Sequence, residues 1–134
     1  MHPLRKLRES GPHTAAQVEP LLAENVVFHS PIFVLAIEGR ERVAKVLAAS
    51  TGVRAGRYTA ELKLDARTTF LRWTGLVDGH PIEGLEIIED DETGRIVDRT
   101  VAFRPLPAVQ LFRDAVYPLL KDELPREYWE YTDR

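Results

Sequence analysis

Residues 73–103 read WTGLVDGHPIEGLEIIEDDETGRIVDRTVAF, and this stretch decides the fold. It is rich in β-branched and apolar residues, and two turn sequences divide it into three segments, which predicts three antiparallel strands. The first turn is Asp78-Gly79, because a two-residue type I′ turn needs positive φ angles that these residues tolerate. The second turn, residues 90–94, is longer. We expect the first of the three strands to begin at Thr68.

The first turn fixes the register of the first two strands. If Asp78 and Gly79 are the turn, Val77 lies opposite His80 and Trp73 lies opposite Gly84. For the second pair of strands, a pairing of Asp90 with Arg95 sets Glu86 directly opposite Arg99. Because side chains alternate between the faces of a sheet, one face then holds Leu71, Trp73, Gly84, Glu86, Val97, Arg99, Val101 and Phe103. That face is apolar except for one acid and one base at its centre.

Helix and strand signals also precede and follow these three predicted strands, which form a meander. Thr14 and Gln17 form a capping-box pattern that predicts a helix from Thr14 to about Asn25, with a bend at Pro20. The remaining predicted elements are a strand over residues 26–34, a helix over 40–51, a loop over 51–56, a strand from Tyr58 and a helix from Ala108 to about Leu120. Residues 1–13 read as a polar lead-in, and residues 122–134 as an aromatic tail that packs on its own or a neighbouring subunit.

Length and composition indicate one soluble globular domain spanning residues 1–134. The chain is 44% hydrophobic and 29% charged with a net charge of -3, so it lacks the basic excess that drives binding to nucleic acid. It has no cysteine, which excludes disulfides and thiolate chemistry. No apolar run is long enough for a membrane span. We expect a cytoplasmic protein without nucleic-acid or membrane partners.

Three short sequences resemble the nuclear transport factor 2-like superfamily, which includes SnoaL-like polyketide cyclases, ketosteroid isomerases and limonene-epoxide hydrolases. They are LLAENVVFHSP at 21–31, DDETGRI at 90–96 and VAFRPLPAV at 101–109, and the resemblance covers about residues 14–112. It implies an α+β fold in which a cone-shaped, curved antiparallel sheet wraps around N-terminal helices. It also implies an apolar pocket and a homodimer through the outer face of the sheet. The last helix and tail extend beyond the shortest family members.

The same resemblance implies roles for individual positions. In the ketosteroid isomerases a catalytic aspartate precedes the proline of the first strand, and this chain has Ser30 there. Glu86 falls at the position of their protonated oxyanion-hole aspartate, while their tyrosine donors have no match. The limonene-epoxide hydrolases set an arginine between two acids, and Glu86 with Arg99 supplies part of that arrangement.

The candidate catalytic residues are Glu86, Arg99 and His29. A carboxyl group in an apolar pocket has its pKa raised by desolvation, which suits a general acid or base, whereas Arg99 favours the charged form. A cross-strand ion pair that only neutralises itself is the alternative. A histidine such as His29 can shuttle protons near neutral pH, although a lone strand histidine is more often structural. The candidate ligand-binding residues are Phe28, Ser30, Trp73, Val101 and Phe103.

We therefore expect a protein that binds a small, largely apolar organic molecule, and the sequence leaves open whether it performs chemistry. If it does, isomerisation, cyclisation or epoxide hydrolysis without a cofactor is the class to test. The four histidines have no metal-binding spacing, so we expect no metal. The alternative is a non-catalytic ligand-binding or dimerisation module whose cavity is filled by its own side chains. Cavity geometry separates the two. A closed interior with Glu86 neutralised by Arg99 favours the module, and an open pocket with Glu86 exposed at its floor favours the enzyme.

Overall fold

The structure of the protein is a computed structural model that describes residues 1–133. It has four α-helices: α1 (Pro3–Glu9), α2 (Ala15–Val18), α3 (Arg40–Thr51) and α4 (Leu106–Leu120). Six strands form one sheet: β1 (Leu22–His29), β2 (Ile37–Glu38), β3 (Ala55–Lys63), β4 (Thr68–Val77), β5 (His80–Asp90) and β6 (Ile96–Arg104). Two short 3₁₀ turns lie at Glu19–Leu21 and Arg126–Tyr128.

The strands are ordered β2-β1-β6-β5-β4-β3 in a curved sheet that does not close into a barrel. The predicted α+β cone is therefore confirmed. One detail of the prediction is wrong, because the sheet is not antiparallel throughout. Strands β1 and β6 run parallel, with Phe28 beside Arg99. Their connection contains β2, α3 and the whole β3–β5 meander, which is long enough for a parallel crossover.

The register of β4 and β5 is the predicted one. Val77 pairs with His80, and Trp73 pairs with Gly84. Asp78 and Gly79 adopt positive φ angles of 48° and 76°, as a type I′ turn requires. Close approach explains why position 84 is glycine, since a Cβ there would lie 2.4 Å from the indole ring of Trp73.

The register predicted for β5 and β6 is wrong by two residues. Asp90 pairs with Ile96 rather than Arg95, and an irregularity between Glu89 and Asp90 leaves Val97 without a partner. Glu86 consequently lies opposite Val101, while Arg99 lies opposite Ile88. A shift of two residues preserves the face to which each side chain points. Glu86 and Arg99 therefore remain on the inner face, as diagonal neighbours.

The first predicted helix is much shorter than the sequence indicated. The capping box of Thr14 and Gln17 is present, but α2 ends at Val18. Pro20 lies in the 3₁₀ turn that follows, because proline has no N–H for an α-helical hydrogen bond and its ring clashes with the preceding turn. Strand β1 then starts at Leu22 and ends at His29, instead of spanning residues 26–34.

The other predicted elements lie close to their observed bounds. Helix α3 is the predicted one, and α4 begins two residues earlier than predicted, after Pro105. Strand β3 begins at Ala55 rather than Tyr58. Its inward side chains do not alternate strictly, because the register shifts between Tyr58 and Ala60. Strand β3 is also the edge of the sheet and stays mostly exposed.

Both ends of the described chain pack onto the sheet and helices. Leu4 of α1 is fully buried, so residues 1–13 are more than the predicted polar lead-in. His2 caps the N-terminus of α1, and its Nε2 lies 3.1 Å from the Asp90 carboxylate at the end of β5. In the predicted tail Leu124 and Trp129 are buried, and the indole N–H of Trp129 donates to the Leu124 carbonyl at 3.0 Å. The tail therefore packs on its own chain.

Within residues 1–133, no helix is both long enough and apolar enough to cross a membrane.

Candidate functional site

An ion pair lies at the centre of the inner face of the sheet. The Nη2 of Arg99 donates to the Oε2 of Glu86 at 2.7 Å. Glu86 is 1% exposed and Arg99 is 2% exposed, so water screens neither charge. The guanidinium of Arg99 also stacks on the ring of Phe28, with its carbon 4.9 Å from the ring centroid. The sequence predicted this pair, although by diagonal contact rather than direct opposition.

A tyrosine that the sequence did not identify completes the contacts of Glu86. Tyr58 pairs with Trp73 across β3 and β4, and its hydroxyl donates to the Oε1 of Glu86 at 3.4 Å. Burial raises the pKa of Tyr58, and the negative charge of Glu86 raises it further. Tyr58 is therefore a hydrogen-bond donor at neutral pH.

Two further arginines reach the same region from outside the sheet. Arg8 comes from the last turn of α1, and Arg54 comes from the residue just before β3. The guanidinium carbon of Arg54 lies 3.8 Å above the ring of Trp73, which is a close cation–π contact. Each side chain is partly exposed as a whole, yet Arg8 Nη1 and Arg54 Nε are out of contact with solvent.

Several buried nitrogen atoms of this region have no hydrogen-bond partner among residues 1–133. They are Arg8 Nη1, Arg54 Nε, Arg99 Nε, Trp73 Nε1 and His13 Nε2. Buried polar groups are nearly always hydrogen-bonded in native proteins, so such a cluster requires an explanation. The three guanidinium atoms and the indole nitrogen are donors only, and a bound acceptor would satisfy them.

The pKa of Glu86 is lowered, not raised. Burial alone raises the pKa of this carboxyl, but the charges of Arg99, Arg8 and Arg54 together outweigh it and lower the pKa below its usual range. Glu86 is therefore ionised at neutral pH. The raised pKa that would suit a general acid is absent, and the carboxyl cannot donate as a protonated oxyanion-hole acid does.

The pKa values of two arginines are also lowered, but for an arginine a lower pKa means that the charged form is disfavoured. Burial lowers the pKa of Arg54 well below its usual range, and the neighbouring charge of Arg8 lowers it further. Burial also lowers the pKa of Arg8 and of the nearby His13. A guanidinium keeps its proton in proteins. These lowered pKa values show that the environment disfavours the positive charges of Arg8 and Arg54.

Two spaces adjoin Arg54. The inner one is a small, partly enclosed cavity of about 20 Å³, enough for about one water molecule. The outer one is an open groove of about 460 Å³ between the end of α1, the end of α3 and the start of β3. Arg54 lines both spaces, whereas Arg99 lines only the inner cavity and Arg8 only the groove. Arg54 therefore forms a wall between the groove and the interior.

The predicted ligand-binding residues divide into two groups. Phe28, Ser30 and Phe103 line the inner cavity together with Phe112 of α4. Trp73 and Val101 are buried on the same face of the sheet but do not line the cavity. Trp73 packs edge-to-face against Phe103, with ring centroids 5.1 Å apart. Trp73 and Val101 therefore pack in the interior and do not line a pocket.

His29 is separated from the rest of the candidate site. It lies next to Phe28 on β1, and neighbouring residues of a strand point to opposite faces. Its ring is exposed, and its Nε2 lies 3.3 Å from the Asp98 carboxylate on the outer face. His29 therefore lies apart from Glu86 and Arg99, and its candidate catalytic role stays a prediction.

The residues that the sequence analysis missed had weak signals. Arg8 and Arg54 lie outside the strands, so no alternation pattern indicated their direction. Tyr58 also lacked a simple signal, because the pairing of Ala60 with Arg72, continued without a break, would place Tyr58 opposite Thr74, and a register shift pairs it with Trp73 instead. Within the described part of the chain, no group of three or more His, Cys, Asp or Glu side chains is arranged to hold a metal ion.

No family model matches the chain, and no curated protein matches it. Solved structures do. An uncharacterised protein with a cystatin-like fold from Silicibacter pomeroyi is 27% identical, with a TM-score of 0.83 over 92% of this chain and 89% of that one. A steroid delta-isomerase from Pseudomonas aeruginosa is 26% identical, with a TM-score of 0.78 over 90% and 86% of the two chains. A protein of unknown function from Cytophaga hutchinsonii, described as nuclear transport factor 2-like, is 20% identical, with a TM-score of 0.55 over 69% and 78%. The resemblance inferred from the sequence is confirmed.

Proposed function

Because the chain has the fold of the nuclear transport factor 2-like superfamily, we propose that it binds a small organic molecule at the junction of the groove and the inner cavity. The observation that carries this proposal is the cluster of unpartnered donors on Arg54, Arg99 and Trp73. An acceptor group of the ligand would satisfy them, and the body of the ligand would lie in the groove against Val53 and Leu76.

The ligand reaches the interior from the groove. The groove has the volume of a typical ligand pocket, whereas the inner cavity holds about one water molecule. Since Arg54 lines both spaces, rotation of its side chain away from Trp73 would join them. Arg54 is thus the residue that must move when a ligand binds.

The proposed function is binding, without proton transfer by Glu86. Side chains fill the interior except for about one water molecule's volume, and Glu86 is paired with Arg99, which is close to the geometry expected of the non-catalytic module. A general base works best with a pKa near the operating pH, and the pKa of Glu86 is shifted away from neutrality. Glu86 would instead orient Arg99 and Tyr58 toward the ligand.

Thermal shift against a library of small hydrophobic molecules, neutral and charged, tests this function. A ligand at 100 times its Kd stabilises by about 2.7 kcal/mol, which is a rise of several degrees for a chain of this size. We expect Gly52→Phe to abolish the shift, because Gly52 lines the groove and a Cβ there would meet no atom closer than 3.7 Å. Lys121→Phe, at an exposed position at the end of α4, is the control. A shift that survives Gly52→Phe would contradict the proposed site.

Steroid isomerisation is a second candidate function because of the similarity to a steroid delta-isomerase. We expect no turnover of a steroid delta-isomerase substrate above the buffer rate, since Ser30 replaces the catalytic aspartate and Glu86 is a weak base. Turnover by the wild type that is lost in Glu86→Gln would overturn the non-catalytic proposal and assign the proton transfer to Glu86.

A homodimer through the outer face of the sheet is part of the proposal. Leu62, Phe70 and Ile87 lie side by side across β3, β4 and β5, and we name them the outer row. Leu62 is 58% exposed and Ile87 is 42% exposed. Exposed apolar surface of this kind favours association, and a second copy presents the same row in a two-fold interface.

Sedimentation equilibrium tests the dimer. The wild type should have twice the mass of the 15.2 kDa chain, and Ile87→Lys should be monomeric. Leu64→Lys, at an exposed leucine just after β3, should remain dimeric as the control. A monomeric wild type would contradict the proposed dimer. A cytoplasmic location stays a prediction from the sequence.

A further inference from the structure

The charges around Trp73 and Glu86 do not balance, although only Glu86 and Arg99 are fully buried and Arg8 and Arg54 are partly buried. Arg8, Arg54 and Arg99 contribute three positive charges, and Glu86 contributes one negative charge. All three arginines lower the pKa of Glu86. Tyr58 is protonated and His13 is neutral, because burial raises the pKa of the first and lowers the pKa of the second. The cluster therefore carries a net charge of about +2.

Neighbouring groups offset only part of this excess. The C-terminal ends of α1 and α3 adjoin the groove, and each contributes a partial negative charge of about half a unit or less. Glu9 also lines the groove, but its Oε1 accepts from Arg5 Nε at 2.8 Å. Roughly one positive charge remains without a counterpart, and buried charges are normally paired.

The unpartnered guanidinium nitrogens also indicate that negative charge is lacking here. Arg99 uses Nη2 on Glu86 and leaves Nε without a partner. Arg54 and Arg8 each leave a buried nitrogen without a partner, and the one hydrogen bond of Arg8 is a long one, 3.5 Å, to the Ser50 hydroxyl. A guanidinium presents a planar fork of N–H donors whose geometry matches an oxyanion with two or more oxygens.

We propose that the ligand is an organic anion whose carboxylate or equivalent oxyanion is held between Arg54 and Arg99, with Arg8 at the groove end. This inference rests on the proposed binding function and names the chemical class of its ligand. The anion supplies the missing negative charge and accepts hydrogen bonds from the unpartnered guanidinium nitrogens. The apolar remainder of the ligand lies in the groove against Val53 and Leu76, which line it together with Arg8 and Arg54.

A neutral ligand would not solve the electrostatic problem. It could accept one or two hydrogen bonds, but the surplus positive charge would remain and would be desolvated further when the ligand displaced water from the groove. An organic cation would add to the repulsion. The site therefore discriminates by charge first and by the shape of the apolar body second.

Isothermal titration calorimetry with matched pairs of probes tests the inference. Phenylacetate, 3-phenylpropanoate and 4-phenylbutanoate are each compared with the corresponding primary amide, which has the same body and no charge. We expect at least one carboxylate to bind the wild type at least tenfold more tightly than its amide. Arg54→Gln should weaken that carboxylate at least tenfold, whereas Arg57→Gln, which removes the same charge from an exposed position on β3, should change it less than twofold.

Each outcome decides the question. Amides that bind as tightly as their carboxylates overturn the charge inference and leave the proposed binding function standing. Carboxylates that bind Arg54→Gln as tightly as the wild type occupy another site and overturn the inference. Absence of binding by both series at millimolar concentration overturns the proposed function together with the inference. Circular dichroism checks that Arg54→Gln is folded, and Arg8→Gln, with the same expected direction of effect, replaces it if it is not.

Discussion

The three arginines of the site are alike in type but unequal in their effect on folding. Arg99 pairs with Glu86 at 2.7 Å, and both are buried. Arg54 has a buried Nε without a partner, and its pKa is lowered well below its usual range by burial and by Arg8. Arg99 therefore contributes to stability, while Arg54 is retained at the expense of stability. This contrast is typical of a binding site that is incomplete without its ligand.

Replacement of each arginine by methionine tests that contrast. Arg99→Met leaves the carboxylate of Glu86 buried without its main partner, so we expect a loss of about 3 kcal/mol or more in the free energy of unfolding. Arg54→Met removes one of three like charges but also the cation–π contact with Trp73. We expect the two effects to cancel within about 1 kcal/mol or to leave a small gain. Urea denaturation measures both, with Arg57→Met as the exposed control. Equal losses for Arg54→Met and Arg99→Met would contradict this account.

The lowered pKa of Glu86 predicts how its contribution to stability depends on pH. A carboxyl whose pKa is lower in the folded protein than in the unfolded chain stabilises the fold above its ordinary pKa of about 4.3. That contribution is lost only as the pH falls through the lower, folded value. Carbon-13 NMR of the side-chain carboxyl measures the titration directly. We expect a midpoint below 4.3, and a midpoint near neutrality would instead indicate a protonated acid.

At the scale of the strands, β4 and β5 are held in register by a packing requirement. Gly84 lies opposite Trp73, and a Cβ at position 84 would lie 2.4 Å from the indole ring. The ring cannot move aside easily, because Arg54 stacks on it and Phe103 packs against its edge. The absence of a side chain at position 84 thus allows Trp73 to lie flat inside the cone.

Gly84→Ala should therefore lower the free energy of unfolding by about 1–3 kcal/mol, which is the usual cost of overpacking a core. Gly52→Ala, where the nearest atom to the new Cβ lies 3.7 Å away, should change it by less than 1 kcal/mol and serves as the control. Trp73→Phe should recover part of the loss when combined with Gly84→Ala, because the two positions are in contact. A neutral effect of Gly84→Ala alone would show that the indole ring is not held in place.

The same strands show what a sequence can specify. The two-residue turn at Asp78-Gly79 permits only one register, so the pairing of Trp73 with Gly84 could be predicted. The longer turn between β5 and β6 permits several registers. There the turn is one residue longer than predicted, and the unpaired Val97 adds a second residue. Together they shift the register by two residues, and an even shift leaves each side chain on the same face of the sheet. The shared face of Glu86 and Arg99 was therefore predicted correctly, while their direct opposition was not.

The arginine cluster was beyond the reach of the sequence for a different reason. Arg8 and Arg54 reach the site through the packing of α1 and of the segment before β3, and neither position belongs to a regular pattern. The shift in register between Tyr58 and Ala60 in β3 likewise breaks the alternation of that strand. The charge balance around Glu86 depends on Arg8 and Arg54 as well as on Arg99. The sequence therefore predicted an ion pair where the structure has a positive cluster.

At the scale of the whole molecule, the fold brings its charged interior to one end of the cone. The sheet supplies Glu86, Arg99 and Tyr58, and α1 and the end of α3 enclose the groove through which Arg8 and Arg54 reach them. Helix α4 closes the opposite side with Phe112 and Val116. The steroid delta-isomerase of Pseudomonas aeruginosa is similar to this chain in overall fold. We therefore expect ligand specificity in this protein to depend on the helices and loops around the sheet as much as on the strands.

Nitrogen-15 NMR of the arginine Nε–H groups during titration with the tightest-binding carboxylate tests the central claim most directly. The Nε atoms of Arg54 and Arg99 are buried and have no partner in the free protein, so a bound oxyanion should shift both signals strongly. The exposed Arg57 should not shift. Signals of Arg54 and Arg99 that stay unchanged at saturation, while calorimetry reports binding, would contradict the proposed site.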